Sequence, residues 1–262
     1  MNLIIKRTAA FFSRRIYIFL TELGDFFILF AGVIKSLHRI FRDRKLIIEQ
    51  MIHIGVNSLL LVSIIGIFTG AVACWQAAFQ IKGLISFNYL GSATTKAIII
   101  ELGPVLAAIV LAGRVGASIS AELGTMKVTE QIDALESMGI NPVRYLAMPR
   151  VVATTFMLPI LVIYASTIAI IGSYSVATMF LDVSGGTFMN GFKKSFEFRD
   201  FYSASIKALF FGLSISMIGC FVGFQTKGGA QGVGLSTIKS FVISAAMILI
   251  LDYILWNFLI GV

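Results

Sequence analysis

Charged residues are scarce in this sequence, and their scarcity excludes a soluble globular protein. Only 13% of its 262 residues are Asp, Glu, Lys or Arg, and the mean hydropathy is +0.93, whereas soluble domains carry roughly 25% charged residues. Uncharged tracts of about 20 residues, which can cross a bilayer as helices, recur along the chain, and the ~10-residue alternating segments of a membrane barrel do not. The sequence therefore predicts an all-α integral membrane protein.

Cysteine and histidine are also rare. Cys74 and Cys220 lie inside apolar tracts, where a thiol behaves as a small hydrophobic group, and His38 and His53 have no neighbouring ligand pattern. This pattern excludes a disulfide framework and predicts no metal site. No spacing is typical of a catalytic triad or of a paired acid and base. We therefore predict that the chain is not an enzyme and has no cofactor of its own.

A nucleotide-binding motif is missing as well. The glycine-rich stretch GGAQGVG, residues 228–234, lacks the Lys-Ser/Thr ending and the preceding strand of a phosphate loop. We interpret residues 225–236 as a tight, flexible turn. The net charge of +8 does not indicate nucleic-acid binding, because the basic residues are not clustered on a soluble domain.

The distribution of basic residues predicts the orientation in the membrane. If the chain crosses the bilayer five times, 15 of its 21 Lys and Arg residues fall on the side of the N terminus. The positive-inside rule then places the N terminus in the cytoplasm and the C terminus outside, in the periplasm. The transmembrane domain covers residues 51–262, and its predicted spans are 54–79, 94–115, 151–180, 203–224 and 237–260.

Residues 1–50 form a separate N-terminal region. Its apolar run, residues 16–34, contains Glu22 and Asp25 and has positive charge on both sides. This pattern favours an interfacial or re-entrant helix on the cytoplasmic side, and a sixth span is the alternative.

Three ionisable residues fall inside predicted spans, on three different helices. Glu101 lies about 10 Å from the outer end of the second span, Lys207 about one turn inside the fourth, and Asp252 in the outer part of the fifth. We predict that Lys207 pairs with Glu101 or Asp252, because an unpaired charge facing lipid costs several kcal/mol. The pair would either serve a polar site beside a cavity or only set the register of the helices. Pro104 removes a backbone donor nearby, so a helix distortion there can open a pocket.

A polar island, residues 121–150, separates the second and third spans. Within it, Val128–Met138 would place Ile132, Leu135 and Met138 on one stripe of a short helix. A helix of this length is not stable alone in water, so we interpret it as docking on a partner protein. An ordinary loop helix is the alternative.

The segment from Glu101 to Ala153, beginning ELGPVLAAIVLAGRVGASISAELGTMK, resembles the signature of the MlaE-type permeases of ABC transporters, also called YrbE-type. That family moves lipids between the two membranes of Gram-negative bacteria and has relatives in mycobacteria and plastids. The five-span plan fits the family over nearly the whole chain, and Asp252 within LILDYILW is similar to a recurring family feature. The resemblance implies a permease subunit that moves phospholipid and is driven by a separate ATP-binding subunit.

The resemblance also implies partners, a location and site residues. It implies a homodimer in a bacterial inner membrane or, alternatively, a plastid envelope, and an outer-facing MCE-domain protein that receives or supplies the lipid. The cytoplasmic ATP-binding subunit would dock on a coupling helix, through Glu130, Gln131, Asp133, Leu135, Glu136 and Met138. Phospholipid would occupy an outward-opening cavity, for which the motif singles out Glu101 and Leu102 and placement at the outer end of the first span adds Gln76, Gln80, Ile81 and Leu84.

Two other functions remain as alternatives. A secondary transporter could couple ions or protons through Glu101 and Asp252, although the internal symmetry typical of such proteins is not seen in the sequence. A structural anchor for an outer-facing partner is the third hypothesis.

Overall fold

The structure, a computed structural model, describes residues 2–83 and 86–259, and this part of the chain is built from helices joined by short turns. In chain order the helices are α1 Asn2–Ser36, α2 Arg44–Ile81, α3 Phe87–Val128, α4 Gln131–Ser137, α5 Val143–Phe180, α6 Gly185–Ser195, α7 Phe198–Phe224 and α8 Gly229–Leu259. Five of them, α2, α3, α5, α7 and α8, are long and apolar enough to cross a membrane. The predicted all-α membrane fold is therefore confirmed.

The five long helices alternate in direction, so the bundle has two distinct ends. One end carries α4 between α3 and α5, and we call it the α4 end. The other carries α6 between α5 and α7, and we call it the α6 end. Within the described residues each predicted span lies inside one of the long helices, and residue 260, the last of the fifth span, lies outside the described residues. The second was predicted to end near residue 115, but α3 continues to Val128.

Two predicted loops are largely helical. The glycine-rich stretch was expected to be a turn, yet α8 already begins at Gly229, and the turn is confined to residues 225–228. Gly228 and Gly229 have φ angles of +90° and +65°, and this left-handed backbone allows the sharp reversal before the helix starts. The loop between the third and fourth spans contains α6, whose apolar face packs on the beginning of α3 through Phe188 and Gly191.

Small residues bring α2 and α5 into close contact. Gly66 and Gly70, four residues apart on α2, face Ala165 and Ala169 on α5. Gly172 of α5 in turn lies against the α2 backbone at Ile67. A Cβ atom added at Gly66 would lie 2.9 Å from the carbonyl oxygen of Ala165, and one at Gly70 would overlap the Ala169 backbone. This small-xxx-small pattern is typical of helices that pack tightly in membranes, where van der Waals contact is the main attraction.

The centre of the bundle lies between α3, α5 and α7. Leu158, Phe211 and Ile215 are fully buried there, together with Leu111 and Leu123 of α3. By contrast, α8 lies at the edge of the bundle, and most of its large apolar side chains remain exposed. In a membrane protein such a surface contacts lipid or another subunit.

The described part of α1 lies against the α4 end. Leu29 and Val33 are buried in the same core as the long helices, and the Phe26 ring contacts that of Phe221 at a centroid distance of 5.5 Å. The opposite side is apolar but exposed, with Phe27 63% accessible. These contacts keep residues 26–33 at one end of the bundle, and α1 is not among the helices long and apolar enough to cross.

An ion pair fastens the turn after α1 to the start of α5. Arg144 donates from Nε and Nη2 to the two carboxylate oxygens of Asp43, both at 3.0 Å. The hydrogen bonds and charge of Arg144 lower the pKa of Asp43 below its ordinary value. Because its folded-state pKa is depressed, Asp43 stabilises the fold above its ordinary pKa and loses this effect as the pH falls through the depressed value.

Replacing Gly70 with Val is expected to destabilise the protein by more than about 2 kcal/mol, because the side chain would overlap the α5 backbone. Gly234→Val is the matched control, since Gly234 is also helical and an added Cβ atom there meets no atom within 4 Å. The measurement is thermal unfolding in detergent. Equal melting temperatures for the two variants would contradict tight packing of α2 on α5.

Candidate functional site

The three ionisable residues singled out in the predicted spans meet at one point inside the bundle. The Lys207 ammonium group donates to Glu101 Oε2 at 2.8 Å and to Asp252 Oδ1 at 2.7 Å. The Lys207 side chain is fully buried, whereas that of Asp252 is 13% exposed and that of Glu101 is 39% exposed. We call these residues the ion cluster; it joins α3, α7 and α8. One cation thus serves two carboxylates, where the sequence predicted a single pair.

An aromatic ring completes the surroundings of the lysine. The Lys207 ammonium group lies 5.0 Å from the ring centroid of Trp256, within the range of a cation–π interaction. Sequence reasoning missed Trp256, although a signal exists: it follows Asp252 by four residues on α8, so the two side chains project from the same face. The buried ammonium group of Lys207 therefore contacts two carboxylates and one aromatic ring.

A local distortion of α3 positions Glu101. Residues Ile98–Leu102 form a widened π-helical turn directly before Gly103 and Pro104. Proline has no backbone N–H to donate to the preceding turn, which favours such an irregularity. Wide turns of this kind are frequent at functional sites because they redirect one side chain from the regular helical path. The sequence predicted a distortion at this point.

Beside the cluster is an open depression of about 430 Å³. It is lined by Lys96, Ala97, Ile100 and Glu101 of α3 and by Trp256 of α8. The carboxylate of Glu101 therefore faces both Lys207 and this space. The depression combines apolar side chains with the charged groups of Lys96 and Glu101, so it suits an amphipathic ligand, whose apolar part contacts the walls and whose polar part contacts the charged groups.

The other predicted lipid-binding residues lie apart from this depression. Leu102 is half-buried and lines a narrow cleft between α2, α3 and α5. Gln76 and Gln80 are exposed on the last turns of α2, and Ile81 packs partly into a small core cluster beside α6. Leu84 lies outside the described residues. Leu102, Gln76, Gln80, Ile81 and Leu84 stay predictions from the family pattern and from chain position.

The short helix of the polar island forms at Gln131–Ser137, inside the predicted range. Ile132 is buried and Leu135 packs partly against the bundle, so two of the three residues of the apolar stripe contact this chain itself. The apolar stripe was expected to face a partner, but the exposed face of α4 is mainly polar. Its exposed residues are Glu130, Gln131, Asp133, Glu136 and Met138. Of the stripe, only Met138 remains accessible, at 70%.

A tight turn connects α3 to α4. Glu130 has φ of +60°, a left-handed backbone conformation that is uncommon for a residue other than glycine. Lys127 bridges to Asp133 across the turn at 2.7 Å. Since α3 carries Glu101 and ends at Val128, two residues join the helix that holds part of the ion cluster to α4.

Removing the cation tests the energetic role of the ion cluster. Lys207→Met leaves two carboxylates without a partner, and we expect a loss of about 3–5 kcal/mol in the free energy of unfolding. The matched control is Lys207→Met combined with Glu101→Gln and Asp252→Asn, which removes every charge and is expected to restore most of the stability. The measurement is thermal unfolding in detergent. Equal stability of the two variants would show that the charges do not interact.

Comparison with known proteins places this arrangement in a family. The sequence model of the family described as permease MlaE matches residues 47–258 of this chain. A probable ABC transporter permease protein of Rickettsia typhi is 38% identical over 215 residues, which are 82% of this chain and 83% of that protein. One of Rickettsia conorii is 36% identical over 243 residues, 93% and 94% of the two chains, and one of Synechocystis sp. is 36% identical over 213 residues, 81% of each.

The family match covers nearly all of the five long helices, the ion cluster and α4 together, and the three relatives align with 81–93% of this chain. This chain therefore belongs to the MlaE family of ABC transporter permeases.

Proposed function

We propose that this permease moves phospholipid between membranes and that a separate ATP-binding subunit supplies the energy. The observation that carries the proposal is the ion cluster beside the open depression of about 430 Å³. A phospholipid has a charged headgroup and long apolar chains, so it matches a surface with apolar walls and the charged groups of Lys96 and Glu101. A site that binds only an ion would not need apolar side chains around it.

The position of the depression supports a second copy of the chain as the other wall. The depression is open beside α8, which lies at the edge of the bundle and exposes Leu249, Ile250 and Tyr253. A homodimer that contacts through this edge would cover the apolar side chains and enclose the lipid. Large exposed apolar surfaces of this kind are typical of subunit interfaces.

The surface of α4 supports docking of the ATP-binding subunit. Its exposed carboxylates, on Glu130, Asp133 and Glu136, lie at one end of the bundle and suit a basic cleft on the partner. Met138 adds a flexible apolar contact. In this proposal the partner hydrolyses ATP, and the permease itself carries out no chemistry.

The orientation follows from the same proposal. The α4 end faces the cytoplasm with the N terminus, and the C terminus faces the periplasm of a bacterial inner membrane. At the α6 end, an MCE-domain protein would receive the lipid or supply it. The excess of Lys and Arg on the N-terminal side supports this orientation.

The proposed cargo can be tested with the fully neutral variant Lys207→Met, Glu101→Gln, Asp252→Asn. In proteoliposomes with the ATP-binding subunit, we expect it to fold but to transfer fluorescent phospholipid at least about 10-fold more slowly, since the headgroup loses its charged contacts. Collapse of the proton gradient should leave transfer by the native protein unchanged. Transfer that follows the proton gradient and not ATP would instead support the secondary transporter.

The proposed coupling can be tested on α4. Glu136→Lys with Met138→Ala reverses one charge and removes the exposed apolar contact, and we expect the ATP-binding subunit to copurify about 10-fold less. Glu49→Lys is the matched control, because Glu49 is an exposed carboxylate at the same end of the bundle but on α2. Undiminished copurification with the α4 variant would contradict docking through α4.

A further inference from the structure

A second apolar space opens on a different face of α3 from the Glu101 depression. It is a groove of about 250 Å³ between α5, α6 and α7, and Ile99 of α3 forms its floor. Phe192, Phe196 and Phe201 surround its upper part. The family match and the ion cluster do not account for this groove.

The dimensions of the groove correspond to one hydrocarbon chain. Its lining on α5 runs from Val162, near the middle of the helix, to Ile171 toward the α6 end. This distance is about 14 Å at 1.5 Å per residue, or roughly one half of a ~30 Å hydrocarbon core. This length and the apolar lining suit a hydrocarbon chain that lies along α5.

A protein helix does not fit this space. A helix with its side chains is 10–12 Å wide and rises 5.4 Å per turn, so each turn occupies on the order of 500 Å³. The groove is also accessible from the lipid side, because Ile163, Thr167 and Ile171 are exposed. The surrounding bilayer can therefore supply its occupant directly.

Two exposed lysines are next in sequence to aromatic residues of the groove, although neither lysine lines it. Lys193 and Lys194, in the last turn of α6, fall between Phe192 and Phe196 and are exposed. Within the described residues neither lysine forms a salt bridge. Their ammonium groups place positive charge on the segment that forms one end of the groove, and anionic lipid headgroups are attracted to such charge.

We propose that the groove binds one acyl chain of a phospholipid from the leaflet on the α6 side, with the lipid phosphate beside Lys193 and Lys194. The bound chain packs among the aromatic rings and fastens α6 to α5 and α7. This site is separate from the Glu101 depression and does not depend on which cargo the permease transports.

The test fills the groove with a side chain. Thr167→Phe projects into it, whereas Thr178→Phe is the matched control on the same helix, since each threonine hydroxyl donates only to a carbonyl oxygen of its own helix. The protein is extracted in mild detergent and its retained phospholipids are counted by native mass spectrometry. We expect Thr167→Phe to retain one phospholipid fewer per chain than the native protein and Thr178→Phe to retain the native number.

A second measurement does not depend on lipid carried over from the cell. Phosphatidylglycerol added to the delipidated protein should raise the melting temperature of the native chain and of Thr178→Phe by a few degrees, and leave that of Thr167→Phe unchanged. Circular dichroism before the titration checks that both variants are folded. The proposal is overturned if the three proteins retain equal lipid and respond equally, or if Thr167→Phe releases a bound polypeptide and no lipid.

The proposed contact between the lipid phosphate and the two lysines can be tested separately. Lys193→Gln with Lys194→Gln should reduce the retention of phosphatidylglycerol relative to diacylglycerol, which has no phosphate, by several-fold, while the groove still holds an acyl chain. Lys82→Gln, an exposed lysine at the same end of the bundle, is the control. An unchanged ratio for the double variant would overturn the assignment of the phosphate to these lysines.

Discussion

The buried ammonium group of Lys207 is the constraint on which the arrangement of the long helices depends. A lone charge in a hydrocarbon environment costs several kcal/mol, so it must be matched wherever the helix that carries it is placed. Glu101 and Asp252 match it from α3 and α8, at 2.8 and 2.7 Å. Apolar packing alone allows helices to slide or rotate at little cost, whereas these hydrogen bonds fix the register of three helices at one level.

The other contacts distinguish a tightly packed part of the molecule from an exposed edge. Glycine and alanine bring the backbones of α2 and α5 together, and the core around Phe211 joins α5 to α7. In contrast, α8 packs at the edge and still holds Asp252 in the ion cluster. The ion cluster therefore links the packed core to α8, whose apolar surface is largely exposed.

The short helix α4 shows why a sequence pattern can be right about a structure and incomplete about its use. The spacing of Ile132, Leu135 and Met138 predicts a helix, and a helix forms. The same spacing suggests that the stripe faces a partner, yet Ile132 and Leu135 contact the chain's own core. Periodicity reports which side chains share a face, but it does not report which neighbour covers that face. The polar outer face, which is available for docking, became visible only in the folded chain.

By itself the sequence determined the helical membrane fold, the number of long spans and the family, because hydrophobic length and local motif are properties of consecutive residues. It also indicated that charges inside spans need partners. Only the tertiary structure decided that one lysine serves both carboxylates beside Trp256 and that Leu102 faces a different cleft from Glu101. It also decided that three phenylalanines, from α6, α7 and the turn between them, line a groove beside α5. Each of these depends on the rotation and register of helices distant in sequence, which are set by side-chain packing and charge pairing between them.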